Sequence, residues 1–186
     1  MSLARAPRAV TIARVDATEI AFHWRWLPVL ALGTVLLAHS VLPVRFPAWE
    51  PSTTWLTSLA AIVAGEAALL LHELSHAFVA RGRGHEVQRI VFHGFTAETV
   101  IGDGQPTPGH EALIALVGPA TNLLLAGLAA ALRATLAPTG PVDVVLVLLL
   151  GGNLAAASMS LLPIGGSDGS RALRAIRRLA GIPLAH

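Results

Sequence analysis

Five consecutive residues, His72-Glu73-Leu74-Ser75-His76, have the types and the spacing that metal chemistry requires. In a helix, residues i and i+4 lie on one face, so both imidazoles can bind the same ion. Zinc accepts imidazole nitrogen and, in catalytic sites, keeps one position for water. Glu73 is then placed to take a proton from that water. The alternative is a pair of packed histidines beside a helix carboxylate, with no metal.

The composition indicates that this motif lies within a membrane. The chain has 186 residues, of which 54% are hydrophobic and 13% charged, and its mean hydropathy of +0.65 is too high for a water-soluble domain. Apolar stretches predict four membrane helices, at about 26–44, 54–80, 111–133 and 143–163. The second helix carries the motif at membrane depth, where ionisable groups are costly and point to function.

We therefore expect an all-α polytopic membrane protein with four transmembrane helices. Residues 86–101, between the second and third helices, are rich in β-branched and aromatic residues and predict a short β-hairpin-like insertion. A further short strand is expected at Ala9–Val15. The expected organisation is an N-terminal cytoplasmic segment (1–22), a single membrane-embedded domain that carries the motif (23–170) and a basic C-terminal helix (171–186).

All 13 basic residues are arginine, and all except Arg45 and Arg133 fall on one side of this arrangement. By the positive-inside rule, both termini and the loop between helices two and three are cytoplasmic. The pI near 10.9 then reflects topology and contact with anionic lipid, and no nucleic-acid partner is expected. The predicted location is a bacterial plasma membrane, as an integral, multi-pass protein.

A third metal ligand must be a histidine or a carboxylate, because the chain has no cysteine. Counting residues along the helices places Asp168 at the same cytoplasmic side of the membrane as His72 and His76. The run 163–169 is rich in proline and glycine, so the chain can turn back there and aim the carboxylate inward.

The run Gly118-Pro119-Ala120-Thr121-Asn122 in the third helix reaches a similar depth. Gly118 and Pro119 would permit a kink or a close approach between helices. Asn122 would then be free to hydrogen-bond a substrate carbonyl or a developing oxyanion. Helix packing alone would also explain this motif.

These three motifs together resemble the site-2 protease family of intramembrane zinc proteases, over roughly residues 55–175. The resemblance implies that His72, His76 and Asp168 bind one zinc ion per chain and that Glu73 is catalytic. It also implies regulated cleavage of the transmembrane segments of other proteins. No stretch of the sequence has the size of a PDZ or CBS domain, so the resemblance is to a minimal form.

Further positions bear on that resemblance. Asn153 matches an asparagine of the family's fourth helix, where it would support the site, and Arg171 fits the arginine after Asp-Gly. The family usually has asparagine where this chain has Ser160. It also has a proline and a bulky apolar residue before the aspartate, where Gly165–Ser167 stand here.

Two other ionisable residues have less specific patterns. Glu66 lies two helical turns before Glu73 and would either relay protons or hydrogen-bond a neighbouring helix. His93 would either contact substrate or be a solvated turn residue. The strands around it would hold an unwound substrate by edge pairing, or serve only as structure.

Two rival functions use the same residues. A metal transporter or sensor would use the histidines and Asp168 as a passage site, and its metal flux would survive Glu73→Gln. A catalytically inactive scaffold would bind membrane helices without holding zinc. The substrate, any accessory partner and homo-oligomerisation stay open at this point.

Overall fold

The structure is a computed structural model that describes residues 9–15, 18–94, 96–102 and 106–182. Its four long helices are α1 (Trp26–Arg45), α2 (Pro51–Gly82), α3 (Pro108–Leu136) and α4 (Gly140–Leu161). Each is long and apolar enough to cross a membrane, which confirms the four predicted spans. A shorter helix, α5 (Asp168–Leu179), follows them.

Proline and capping side chains fix where these helices begin. α2, α3 and α4 each have a proline in the first turn, where the missing N–H costs no hydrogen bond. Ser167 caps α5 by accepting a hydrogen bond from the Ser170 amide at 3.2 Å. The C-terminal helix therefore starts at Asp168, three residues before the expected boundary at 171.

The helix α1 is irregular near its end. Residues Leu37–Val41 form a π-helical turn directly before the segment that contains Pro43. Such turns absorb the loss of a main-chain hydrogen bond that a proline imposes on a helix.

Four strands form one mixed sheet in the order β1-β2-β3-β4. The strands are β1 (Ala9–Val15), β2 (Thr18–His23), β3 (Val87–Phe92) and β4 (Ala97–Ile101). The β1–β2 and β3–β4 pairs are antiparallel hairpins, whereas β2 and β3 pair in parallel. The strand expected at Ala9–Val15 and the hairpin expected within residues 86–101 are both present, and β2 joins them into one sheet.

Ion pairs connect three of these strands. The Glu19 carboxylate on β2 accepts hydrogen bonds from Arg14 on β1 at 2.6 Å and from Arg89 on β3 at 2.9 Å. The bond from Arg89, followed by that from Arg14, lowers the pKa of Glu19.

The sheet packs on the final turns of α2. Its core contains Ala77 and Ala80 of α2, Ile90 and Phe92 of β3, and Ile114 of α3. This packing brings β4 alongside the turn of α2 that carries Glu73. Within the membrane layer, α3 packs against α2, α4 and α5, so it lies at the centre of the site-forming elements.

Large apolar side chains point outward along the long helices. Phe78 is 80% exposed, Leu124 72% and Leu56 69%. Exposing such a surface to water would be energetically unfavourable, whereas lipid solvates it.

Candidate active site

The two histidines of the motif lie on the buried face of α2. His72 and His76 are four residues apart, one helical turn, and their Nε2 atoms are 3.1 Å apart. Their exposed fractions are only 6% and 3%. Both imidazoles therefore aim the same ring nitrogen at one point inside the protein.

The tautomer of His76 is fixed by α3. Its Nδ1 atom lies 2.7 Å from the carbonyl oxygen of Ile114. A carbonyl only accepts, so Nδ1 carries a proton, and Nε2 is the ring nitrogen that can give its lone pair to a metal. The Nδ1 of His72 is buried and has no partner among the described residues.

Asp168 brings a carboxylate to the same point. It is the first residue of α5, and its Oδ2 atom lies 3.3 Å from Nε2 of His72 and 3.4 Å from Nε2 of His76. Ser160 at the end of α4 donates a hydrogen bond to that oxygen at 2.8 Å. Arg171 lies one turn along α5, 3.8 Å from Oδ1.

Charge and burial act in opposite directions on Asp168. Burial alone would raise the pKa of its carboxyl group, because it disfavours the charged form. The contacts with His72, His76 and Ser160 outweigh burial and hold the pKa well below its usual range. Asp168 is therefore a carboxylate at neutral pH, as a metal ligand must be.

The three atoms suit a zinc ion in spacing as well as in type. Zinc bonds of about 2.0–2.1 Å in tetrahedral geometry place neighbouring ligands roughly 3.3 Å apart. The separations of 3.1, 3.3 and 3.4 Å found here match that edge length. Two imidazoles and one carboxylate also form a known class of catalytic zinc site, which leaves one position open.

Gly118 of α3 makes this convergence possible. A Cβ atom on Gly118 would lie 2.6 Å from Nε2 of His72 and closer still to Nε2 of His76. Only a residue without a side chain can pass so close to both metal-facing nitrogens. Gly169 plays a similar part beside Asp168, since a Cβ there would collide with the Leu161 carbonyl.

Glu73 is oriented by the sheet. Its side chain is buried beside the two histidines, and the hydroxyl of Thr99 on β4 donates a hydrogen bond to its Oε2 atom at 2.7 Å. The same hydroxyl lies 3.2 Å from the Glu73 carbonyl oxygen. The strand thereby holds the carboxylate that would act as general base.

Comparison with solved structures supports the fold. The Site-2 Protease from Methanocaldococcus jannaschii superposes with a TM-score of 0.62 over 90% of this chain and 71% of that one. The two sequences are only 17% identical over this region. The same arrangement of helices is thus reached by a very different sequence.

Comparison of sequences adds two relatives. "Putative zinc metalloprotease Rip3" of Mycobacterium tuberculosis is 34% identical over 170 residues, covering 90% of this chain and 43% of that protein. "Putative zinc metalloprotease sll0528" of Synechocystis is 32% identical over 148 residues, covering 79% of this chain and 39% of that protein. The chain is thus similar in sequence to proteins named as zinc metalloproteases and shares its fold with a site-2 protease. It spans less than half the length of these two relatives, and no family model matches it.

The candidate site opens into a cavity of about 490 Å³, named here the metal cavity. It is bordered by the motif on α2, by residues 96–99 of the sheet, by Asn122 and by the residues around Asp168. The three candidate ligands thus face a space large enough for a peptide segment.

The two asparagines singled out from the sequence lie in different settings. Asn122 is 3% exposed and borders the metal cavity, and its amide has no hydrogen-bond partner within the described ranges. Asn153 donates to the Leu149 carbonyl of its own helix at 2.8 Å. Asn122 therefore faces the metal cavity, whereas the amide nitrogen of Asn153 bonds within α4.

Glu66 and His93 lie apart from the three candidate ligands. The Glu66 carboxylate accepts a hydrogen bond from the indole of Trp26 at 3.0 Å. This bond links α2 to α1, which is one of the two roles expected for Glu66. His93 lies 3.8 Å from the Glu98 carboxylate, and its ring centroid is 5.5 Å from that of His23.

Sequence reasoning missed two residues that support the site. Thr99 gave no local signal, because its contact with Glu73 depends on how the sheet packs on α2. Ser160 was noticed only as a departure from the family pattern, yet it donates directly to Asp168. A hydroxyl at that position supplies the hydrogen bond that the carboxylate needs.

Proposed function

We propose that this chain is a zinc-dependent endopeptidase that hydrolyses peptide bonds in or near the transmembrane segments of other proteins. The observation that carries the proposal is the meeting of His72, His76 and Asp168 within 3.4 Å beside Glu73, on a helix long and apolar enough to span a membrane. The names of the two relatives, both of them zinc metalloproteases, agree with this activity.

The residues would divide the chemistry among them. His72, His76 and Asp168 would hold a single zinc ion, which as a Lewis acid lowers the pKa of the attacking water and polarises the scissile carbonyl. Glu73 would accept the proton of that water and pass it to the departing amine. The hydrogen bond from Thr99 would orient the Glu73 carboxylate toward the metal, and the bond from Ser160 would orient the Asp168 carboxylate in the same way.

The substrate must reach the site unwound, because a helix hides its amides in i to i−4 hydrogen bonds. Two features would hold such a segment. The Asn122 amide would donate to a main-chain carbonyl, and the free edge of β4 would pair with the extended chain. Edge pairing needs little sequence specificity, which suits a protease that acts on varied membrane segments.

The arginine distribution supports a plasma-membrane orientation with both termini and the sheet in the cytoplasm. The partners are then membrane-spanning substrates and the surrounding lipid. In this orientation the metal cavity lies near the cytoplasmic surface, and regulated intramembrane proteolysis is the process that it serves.

The test is a comparison of wild type and Glu73→Gln, each reconstituted in proteoliposomes with a single-span peptide. We expect cleavage to fall by about 10² to 10⁴-fold in the variant, the range for loss of a general base, with zinc content unchanged. Zinc flux across the vesicle that survives the substitution would indicate transport instead. Wild type that holds no zinc would favour the inactive scaffold.

A further inference from the structure

A second cavity lies beside the metal cavity, toward the Pro51 end of α2. This inner cavity has a volume of about 190 Å³ and is formed mainly by α2 and α4. It shares Leu69, Asn122 and Ala156 with the metal cavity, so the two spaces are neighbours across a common wall. Glu66, which also lines it, is six residues from His72, or about 9 Å along the helix axis.

Missing side chains create the space. Gly65 on α2 and Gly152 on α4 both line the inner cavity, and a Cβ atom on either would meet no heavy atom within 4 Å. The remaining lining is largely aliphatic, including Ile62 and Leu148. An apolar cavity of roughly 150 Å³ is enough to bind benzene, so this one has room for a leucine or phenylalanine side chain.

Asn122 stands where the two cavities meet. It is 97% buried and lines both spaces, and its amide is without a hydrogen-bond partner in the part of the chain that the structure describes. Because its amide lines both cavities and forms no hydrogen bond with another described residue, it is open to a ligand that offers a donor or an acceptor. A peptide main chain supplies that partner.

We propose that the inner cavity is a substrate subsite that receives one aliphatic or aromatic side chain next to the scissile bond. Asn122 holds the main chain at the junction, and the side chain enters between Gly65 and Gly152. This inference rests on the proposed protease function, since the segment that fills the inner cavity is the one cut in the metal cavity.

A crosslinking experiment tests occupancy without catalysis. The chain has no cysteine, so Gly152→Cys in a Glu73→Gln background gives a single thiol at the inner cavity. This variant is reconstituted with a series of single-span peptides that are flanked by lysine and have Asn-Gly at their centre. Each peptide carries one cysteine, at a different position around the Asn-Gly. We expect disulfide formation at one or two adjacent peptide positions. The matched control, Gly151→Cys, lies outside the lining and should give none.

An activity experiment then tests specificity. Gly152→Leu should fill the inner cavity, whereas Gly151→Leu adds the same side chain outside it. With leucine at the crosslinked peptide position, we expect kcat/KM to fall at least about tenfold in Gly152→Leu, and with alanine there to change little. Gly151→Leu should not alter this leucine-to-alanine ratio.

The outcomes separate the two proposals. Equal crosslinking from positions 151 and 152, crosslinks spread evenly along the peptide, or an unchanged leucine-to-alanine ratio would overturn the subsite while leaving the protease intact. Absence of cleavage by wild type would count against the protease itself. The crosslinking pattern in the inactive background reports on the subsite in either case.

Discussion

Single atoms decide the geometry of this site. The Nε2 atoms of His72 and His76 meet only because Gly118 lets α3 pass against both rings, and Ile114 of the same helix sets the His76 tautomer. The third helix thus shapes the metal site although it supplies none of the three ligands. The absence of a side chain at Gly118 is what allows this close packing.

At this scale we predict that Gly118→Ala weakens zinc binding. The added methyl group would overlap Nε2 of both histidines, so one ring must turn away. We expect an apparent zinc affinity at least about tenfold lower, comparable to the loss of a group that supports a metal ligand. Competition with a chelator measures it.

The control for that substitution is Gly127→Ala on the same helix, where a Cβ meets no atom within 4 Å. It should leave zinc affinity unchanged. Equal affinities for the two variants would mean that Gly118 does not shape the site.

The residues with intrinsic chemistry were predictable, and those that assist them were not. His72, Glu73 and His76 share one helix, so their spacing alone indicates a common face. Asp168 followed from membrane depth, which the apolar stretches define. Thr99 and Ser160 act across elements distant in sequence, so no local pattern marks them.

Among the elements, β4 links the sheet to the catalytic helix. One face places Thr99 against Glu73, and its outer edge pairs with no other strand in the described chain. The His93 amide donates a hydrogen bond to the Thr96 carbonyl at 2.8 Å. Hydrogen-bonded and non-bonded pairs alternate along an antiparallel ladder, so the next pair, Phe92 and Ala97, is non-bonded. The Ala97 amide therefore faces the free edge of β4.

The prediction for this element is that Ala97→Pro impairs cleavage. Proline removes a free-edge N–H and leaves the bonds between β3 and β4 in place. Loss of one hydrogen bond of roughly 1 kcal/mol would lower kcat/KM about fivefold. Zinc content should stay at the wild-type level, and Ala97→Ser, which keeps the amide and adds only one heavy atom to the cavity lining, should retain activity. Full activity in Ala97→Pro would argue that the hairpin is only structural.

The elements also show where sequence reasoning stopped. Long apolar stretches predict membrane helices well, since composition and length carry the signal. Strand β2 was not predicted. It pairs with the neighbouring β1, but its other partner, β3, is about 70 residues away, and their parallel pairing leaves no mark in a local window. The early start of α5 depends on the Ser167 cap.

For the whole molecule, the arrangement sets the side of the membrane on which each part lies. Among the described residues, every arginine except Arg45 and Arg133 falls on the side of the sheet and α5. The loop between α1 and α2 should therefore face outward.

Single cysteines in this cysteine-free chain test that orientation. We predict that a membrane-impermeant maleimide labels Ala48→Cys in intact cells, whereas Glu86→Cys reacts only after lysis. Both positions are exposed, so access to the reagent depends on the side of the membrane alone. The reverse labelling pattern would show that the chain has the opposite orientation in the membrane.

The central claim is that α2 and α5, far apart in sequence, jointly hold one zinc ion beside Glu73. The most direct measurement is the zinc content of purified wild type and Asp168→Ala after dialysis against a weak chelator. We predict about one zinc per wild-type chain and at least a roughly tenfold lower apparent affinity in the variant. A wild type without zinc, or an Asp168→Ala protein that holds zinc as tightly as wild type, would contradict it.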